Sequence, residues 1–171
     1  MTREAVVDPA AADKVQAQLH DALAPSAREK LARAGAKVEV KAARTAVTKA
    51  FPDAQLDADT VDALAFYVMS ESMEKIAAET RKIVEQRNAL KAAGVKTDPS
   101  AKFALRLSND YATAPEPLAA DAKPEELAQR MAQLGAMHDL NERAMKTLND
   151  RRMSLLKAGH DIALNSIRNM K

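Results

Sequence analysis

The chain contains no cysteine and no tryptophan, and aromatic residues make up only 3% of its 171 positions. Without cysteine it forms no disulfide scaffold, no cysteine-based zinc site and no catalytic thiol. Only four glycines are present, which excludes a collagen-like chain. The scarcity of aromatic residues and glycine also disfavours β-sandwiches and α/β barrels, because their strands and turns draw on these residues.

Alanine supplies about a fifth of the residues, and eight methionines are spread along the chain. Both residue types favour helices. We therefore predict an all-α fold, a long antiparallel helical hairpin that is similar to a coiled coil, with a smaller helical region at the N-terminus. The expected segments are a helical N-terminal region at 1–52, the first long helix at 53–94, an irregular connector at 95–123 and the long C-terminal helix at 124–171.

Several local signals mark where the N-terminal helices begin and end. Pro9 follows an acidic residue and suits the first position of a helix. Ser26 and Glu29 have the spacing of a capping box, in which each side chain satisfies the main chain of the other residue. The helix that they open is expected either to stop at Gly35 or to continue to about Ala50.

The two long helices carry apolar residues at alternating steps of four and three, the pattern of a coiled-coil seam. We expect Asp57 or Asp59 to cap the first long helix, and Gly94 to end it. Pro124 begins the second long helix. Since no proline follows Pro124, the pattern predicts one continuous helix through Ile162 to the end of the chain.

The apolar stripe is wider than one seam, so two helices that face each other cannot cover all of it. We expect the remainder to be covered by the N-terminal helices or by other copies of the chain. The favoured hypothesis is a non-enzymatic, self-assembling structural protein, a homo-oligomer that builds a filament or tube. The assembly interface predicted on this basis comprises Met69, Met73, Ile76, Ile83, Met137, Leu140, Leu148, Leu155, Leu156, Ile162 and Ile167.

Polar residues interrupt the stripe, and they are costly in a closed core but tolerable in a wet seam between subunits. These residues are Thr80, Arg87, Asn141, Arg152 and Asn165. Gly135 and Gly159 lower helix stability, so their expected use is a close approach between helix backbones.

Charge is balanced overall, with a net value of +2, but it is uneven along the chain. Residues 26–50 carry a net charge of +5 and residues 51–93 a net charge of −3, so these segments are expected to lie against each other or against copies. A stripe of basic residues forms if the helix continues through Gly35, and such a stripe could follow phosphates. Its members are Lys30, Arg33, Lys37, Lys41 and Arg44.

The basic stripe supports an alternative function, a helical binding module. Such a module would act as a chaperone or adaptor for a partner helix, or as a nucleic-acid binder. Aromatic residues that stack on bases are missing near the stripe, which makes nucleic acid the less favoured partner.

Catalytic and metal-binding patterns are weak. His138 and Glu142 lie four residues apart and could supply two metal ligands, but no third ligand is visible. We expect no metal, no cofactor and no catalytic residue, because the sequence also lacks a glycine-rich phosphate loop and a nucleophile elbow. Solvated helix faces are the expected role of the acidic residues Glu71, Glu74, Glu79 and Glu85.

The N-terminal residues lack the apolar core of a cleaved secretory signal. The longest apolar-rich run, from Val61 to Met69, contains Asp62 and is too short to span a bilayer. Synthesis in the cytoplasm is therefore expected, with no membrane span, and export without a cleaved signal is compatible with this sequence.

The C-terminal stretch from Leu155 to Lys171 resembles the last helix of type III secretion needle subunits. Those proteins are helical hairpins with a proline-marked loop, and they end in a similar Asp-Ile-x-x-x-x-Ile-x-Asn pattern and a terminal basic residue. The resemblance implies that this helix lines or supports the wall of a hollow helical filament. It is carried by Asp161, Ile162, Ile167, Asn169 and Lys171.

Overall fold

The computed structural model describes residues 9–96, 111–156, 160–168 and 170. Every regular element in these ranges is a helix, so the predicted all-α class is confirmed. The long helix α4 packs against α5. The helices are α1 (Pro9–Ala22), α2 (Pro25–Ala32), α3 (Val40–Ala50), α4 (Ala58–Ala92), α5 (Pro124–Met153) and α6 (His160–Arg168).

The chain divides into two compact units. Unit 1 comprises the residues up to Met73 and those from Thr147 onward, and unit 2 comprises Glu74–Lys146. Each of the long helices α4 and α5 therefore supplies one part to unit 1 and the other part to unit 2.

Both ends of α4 form as the sequence predicts. Asp57 caps its start, since the Asp57 Oδ1 accepts a hydrogen bond of 2.7 Å from the Thr60 N–H. At the other end Gly94 has a φ of 82°, and the Val95 N–H donates to the Leu90 carbonyl at 3.0 Å. This is the left-handed closing turn for which glycine is the favoured residue.

The predicted start of α2 is wrong. The helix begins at Pro25 after Ala24, and no side chain caps it, so Ser26 and Glu29 form no capping box. A proline at the first helical position supplies the preset φ that the helix needs there, which moves the start two residues earlier. The helix stops at Ala32 and does not continue to Ala50.

The predicted continuous C-terminal helix is also wrong. Helix α5 ends at Met153, where the main-chain bonds tighten, with the Ser154 N–H donating to the Arg151 carbonyl at 3.2 Å. The Ser154 hydroxyl also donates to that carbonyl, at 2.6 Å. The hydroxyl competes with the helical pattern, and the chain begins a separate helix, α6, that contacts α1.

Arg152 is 6% exposed in unit 1, and it is satisfied within one copy of the chain. Its Nη1 donates to the Ser70 Oγ at 3.0 Å, and its Nε donates to the Asn149 Oδ1 at 3.0 Å. The guanidinium carbon lies 5.6 Å from the centre of the Phe66 ring. These partners allow Arg152 to lie in a closed core, where the apolar pattern alone predicts that it is costly.

Tyr67 lies in unit 1 at the end of a series of three polar side chains that contact one another. Its hydroxyl is 3.0 Å from the His20 Nδ1, and the Arg28 Nη1 is 2.7 Å from the His20 Nε2. Burial, together with the charge of Glu71, raises the pKa of Tyr67 to about 12, and the charge of Arg28 opposes this rise.

We expect the free energy of unfolding to fall as the pH rises from about 10 to about 12, because the unfolded chain releases the Tyr67 proton first. The Tyr67→Phe variant should lose less stability over this interval than the wild type. Urea unfolding at several pH values measures both slopes, and equal slopes would contradict the assignment.

Unit 2 has a small apolar core of Ile83, Leu134 and Met137, to which Ala112 adds its methyl group. We call residues 111–117, which have no regular secondary structure, the strap. Asn141 is fully buried and holds the strap, because its Oδ1 accepts from the Ala112 N–H at 2.6 Å.

The Asn141 Nδ2 donates to the Ala112 carbonyl at 3.0 Å and to the Thr80 hydroxyl at 3.2 Å. Asn141 is thus satisfied inside one copy of the chain. Asn141 and Thr80 can therefore lie in a closed core, where the apolar pattern alone predicts that they are costly, because they bond to each other and the connector supplies further partners for Asn141.

The structure also corrects the role of Gly135. A methyl group built at Gly135 meets nothing within 4 Å, so this glycine serves no close approach between the described residues. Gly159 lies outside the described residues.

Gly135→Ala should therefore stabilise the protein by about 0.5–1 kcal/mol, because alanine restricts the unfolded chain more than glycine does. Gly94→Ala is the matched control, since its φ of 82° strains any other residue and the same change there should destabilise. Thermal unfolding of both variants checks this. A loss of stability in Gly135→Ala would contradict the finding that there is open space beside Gly135.

Candidate functional site: a basic groove between α2 and α3

Helices α2 and α3 contact each other in unit 1 and flank a groove of about 810 Å³. Alanine lines much of this groove, and its short side chain leaves open space between the helices. We call this feature the basic groove. Its lining residues are Lys30, Arg33, Ala34, Lys37, Glu39, Lys41, Ala42, Thr45, Ala46, Lys49 and Ala50.

Positive charge dominates the basic groove. Lysine occupies four lining positions, Lys30, Lys37, Lys41 and Lys49, while Glu39 is the one carboxylate among them. Glu39 is already engaged, because it forms an ion pair with Arg151. The groove therefore presents a positive potential to solvent.

Three of these lysines have no counter-charge among the described residues. In the parts of the chain that the structure describes, no carboxylate lies within ion-pair distance of Lys37, Lys41 or Lys49. Lys30 lies 5.8 Å from the centre of the Phe51 ring, close enough for a cation–π contact. Arg33 pairs with Glu29 at 2.8 Å, but both side chains are mostly exposed, and so this pair is weak.

The structure rearranges the predicted basic stripe. The stripe depended on one helix through Gly35, but Gly35 has a φ of 76° and separates α2 from α3. Lys30, Arg33, Lys37 and Lys41 still meet, because the two helices fold against each other around the groove. Arg44 does not join them, since its Nε donates to the Asp62 Oδ1 at 2.7 Å.

Sequence reasoning missed Lys49 as a groove residue. The signal was present in α3, where Lys41, Thr45 and Lys49 follow at four-residue steps and so share one helical face. The same step pattern places Ala42, Ala46 and Ala50 beside them. This face of α3 can be recognised only once the break between α2 and α3 at Gly35 is known.

The predicted assembly interface lies mostly inside one copy of the chain. Seven of its eleven members are buried, namely Met69, Ile76, Ile83, Met137, Leu148, Leu155 and Ile167. Met73, Leu140 and Leu156 are half-buried, and the side chain of Ile162 lies outside the described residues.

The expectation that the buried seven are exposed for assembly is therefore wrong. In unit 2 the strap covers α4 and α5, and in unit 1 the shorter helices contribute buried residues such as Leu19 and Val47 to the core. The sequence pattern records which positions are apolar, but it does not record which part of the same chain covers them.

Replacing Leu155 tests this correction. Leu155 is 5% exposed, so Leu155→Asp should destabilise the fold by about 3 kcal/mol or more, because it buries a charge and removes a packed side chain. The neighbouring Leu156→Asp, at a half-buried position, should cost much less.

Urea unfolding followed by circular dichroism measures both costs. Sedimentation of the same samples reports whether they associate. Two results together would show that Leu155 is an interface residue after all. The Leu155→Asp variant would be as stable as the wild type, and the wild type would form oligomers that the variant does not form.

His138 has two carboxylates near it, one more than the sequence analysis identified. Its Nε2 lies 3.6 Å from the Glu142 Oε1, and its Nδ1 lies 3.8 Å from the Asp139 Oδ1. Asp139 is the third potential ligand that sequence reasoning missed, and the three groups are close enough to hold a metal ion. Both carboxylates are exposed on α5.

Glu79 is not simply a solvated acid. Its Oε2 accepts a hydrogen bond of 2.8 Å from the Ala114 N–H, and its Oε1 lies 3.3 Å from the Lys82 Nζ. Glu71 likewise accepts from the Gln16 Nε2 at 3.1 Å. Both carboxylates therefore have structural partners within their own units.

In the part of the chain that the structure describes, no helix combines the length and the apolar character that crossing a bilayer requires. Comparison with protein-family models gives no match, and neither does comparison with curated proteins or with solved structures. The resemblance to needle subunits stays a prediction. Of the residues that carry it, Ile167 is buried, and the side chains of Asp161, Ile162, Asn169 and Lys171 lie outside the described residues.

Proposed function

We propose that this protein is a non-enzymatic helical binding module whose basic groove receives an acidic, amphipathic helix of a partner protein. The observation that carries this proposal is the set of three lysines around an alanine-lined groove, Lys37, Lys41 and Lys49, for which the described parts of the chain supply no counter-charge. A partner with carboxylates at its edges would supply the missing charge.

The shape of the basic groove favours a helix as the partner. The alanines of α3 that line the groove leave room for the larger side chains of a third helix, which is the helix-in-groove mode of recognition. Leucine or methionine side chains of the partner would contact Ala42 and Ala46. The aliphatic stems of the lysines extend this apolar contact, while their charged ends meet carboxylates.

Nucleic acid fits the basic groove less well. Among the described residues no aromatic side chain lines it, and the Phe51 ring, whose centre lies 5.8 Å from the Lys30 Nζ, is buried. Base stacking, which supports much single-strand binding, therefore has no platform here. Phosphate contacts alone would give binding without sequence preference.

The same geometry favours a binding module over self-assembly through the apolar stripes. A filament or tube would need the predicted interface to be accessible, and most of that set is buried in one copy. The basic groove, in contrast, is open in one copy of the chain.

We also propose that α4 and α5 run antiparallel, as the helical-hairpin prediction requires. Two contacts in unit 2 support this. Thr80 on α4 meets Asn141 on α5, and Gln86, farther along α4, meets Arg130, which is earlier on α5.

Charge reversal in the groove tests the proposed function. The probe is a fluorescent synthetic helix of about 18 residues with a leucine stripe flanked by glutamates, and anisotropy measures its affinity for the full chain. We expect Lys37→Glu with Lys41→Glu to weaken binding at least about tenfold, because each reversal replaces an attraction by a repulsion. Added salt should weaken wild-type binding.

The matched control reverses two exposed lysines away from the groove, Lys14 and Lys91, and should leave affinity nearly unchanged. Ala42→Leu fills the groove without a charge change and should also weaken binding. Equal losses in the groove and control variants would contradict the proposal. Tighter binding of duplex DNA than of the acidic helix would assign the groove to nucleic acid instead.

A further inference from the structure

The strap is held on unit 2 by side chains that contact its main chain. Asn141 receives the Ala112 N–H at 2.6 Å and donates to the Ala112 carbonyl at 3.0 Å, so one amide side chain satisfies both main-chain groups of Ala112. The Glu79 Oε2 accepts from the Ala114 N–H at 2.8 Å.

Two more side chains bind the main chain of the strap farther along. The Gln86 Nε2 donates to the Pro115 carbonyl at 2.6 Å, and the Arg130 Nη1 donates to the Glu116 carbonyl at 2.6 Å. Arg130 also reaches the Gln86 Oε1 at 3.5 Å. Asn141, Glu79, Gln86 and Arg130 therefore form a row, which we call the main-chain clamp.

Contacts to a main chain do not depend on the sequence of the segment that they hold. Any extended peptide offers the same N–H and carbonyl groups, and this is how many peptide-binding surfaces gain affinity. Selectivity then comes from the few side-chain positions that are enclosed.

Two alternate positions of the strap contact the apolar cluster, Ala112 fully and Ala114 partly. Ala112 is 3% exposed and packs on Ile83, Leu134 and Met137, and Ala114 packs partly against the same cluster. The intervening Thr113 is exposed. The surface therefore selects a small residue at two alternate positions, and Pro115 follows directly.

We propose that the main-chain clamp is a peptide-binding site for extended segments of the type small-x-small-Pro, and that the strap is its internal ligand. A partner segment of the same chemistry would replace the strap on the clamp. Because the strap is tethered, it lowers the apparent affinity for any external peptide. This site lies in unit 2 and is independent of the basic groove in unit 1.

Release of the strap in the full chain tests the proposal. Ala112→Glu places a charge where the apolar cluster admits only a methyl group, so the strap should leave the clamp. A fluorescent peptide of residues 111–118, Tyr-Ala-Thr-Ala-Pro-Glu-Pro-Leu, should then bind the variant at least about tenfold more tightly than the wild type.

Two matched controls accompany this measurement. Thr113→Glu adds the same charge at an exposed strap position and should leave peptide binding as weak as in the wild type. A peptide that carries the Ala112→Glu change should not bind any of the chains. Adding Asn141→Leu to the Ala112→Glu chain should abolish binding, because the bonds to the first small residue are lost.

A measurement on the wild type keeps the proposal testable if Ala112→Glu does not fold. The Ala112 and Ala114 amides should exchange slowly with deuterated water, and an excess of the unlabelled peptide should raise their exchange rates by competition. Unchanged exchange at saturating peptide would overturn the proposal. Equal peptide binding by a folded Ala112→Glu chain and by the wild type would overturn it as well.

Discussion

The left-handed turn at Gly35 is the constraint on which the basic groove depends. Glycine adopts a φ of 76° at little cost, and this turn ends α2 and allows α3 to fold back against it. The link after the turn is fixed as well, since the Lys37 N–H donates to the Ser72 Oγ at 2.8 Å and Val38 is buried. A continuous helix would have spread the same lysines along one solvated face.

A second theme is the satisfaction of buried polar groups within one copy of the chain. Asn141 finds its partners on the strap and on α4, and Arg152 finds Ser70, Asn149 and the Phe66 ring. Such groups are expensive to leave unpaired, so their partners fix which segments must lie together. With most of the apolar stripes closed in this way, the surfaces that we propose for recognition are the basic groove and the main-chain clamp.

Local features of the fold could be predicted from the sequence. The Asp57 cap and the Gly94 closing turn depend on residues within one helical turn, and both were predicted. The capping box at Ser26 failed because a second local signal, Pro25, set the helix start. The end of α5 at Met153 could not be predicted, because the four-three pattern of apolar residues continues past it without a break.

Non-local features could not be predicted in this way. Burial of Leu148 and Met137 depends on segments far away in the sequence, and periodicity identifies an apolar face without naming its cover. Four members of the predicted basic stripe line the groove, but Arg44 does not and Lys49 does, and their arrangement around a groove required the turn at Gly35. The main-chain clamp has no sequence signature, because side chains of ordinary helical positions there bind a main chain.

The most direct measurement of the central claim is an amide chemical-shift map of the isotopically labelled full chain during titration with the acidic helical peptide. We expect saturable shifts at the groove-lining residues 30–50 and the turn at Gly35, with amplitudes that shrink as salt is added. Shifts confined to α5 or the strap, or small shifts spread evenly over exposed lysines, would contradict the claim that this groove binds an acidic helix.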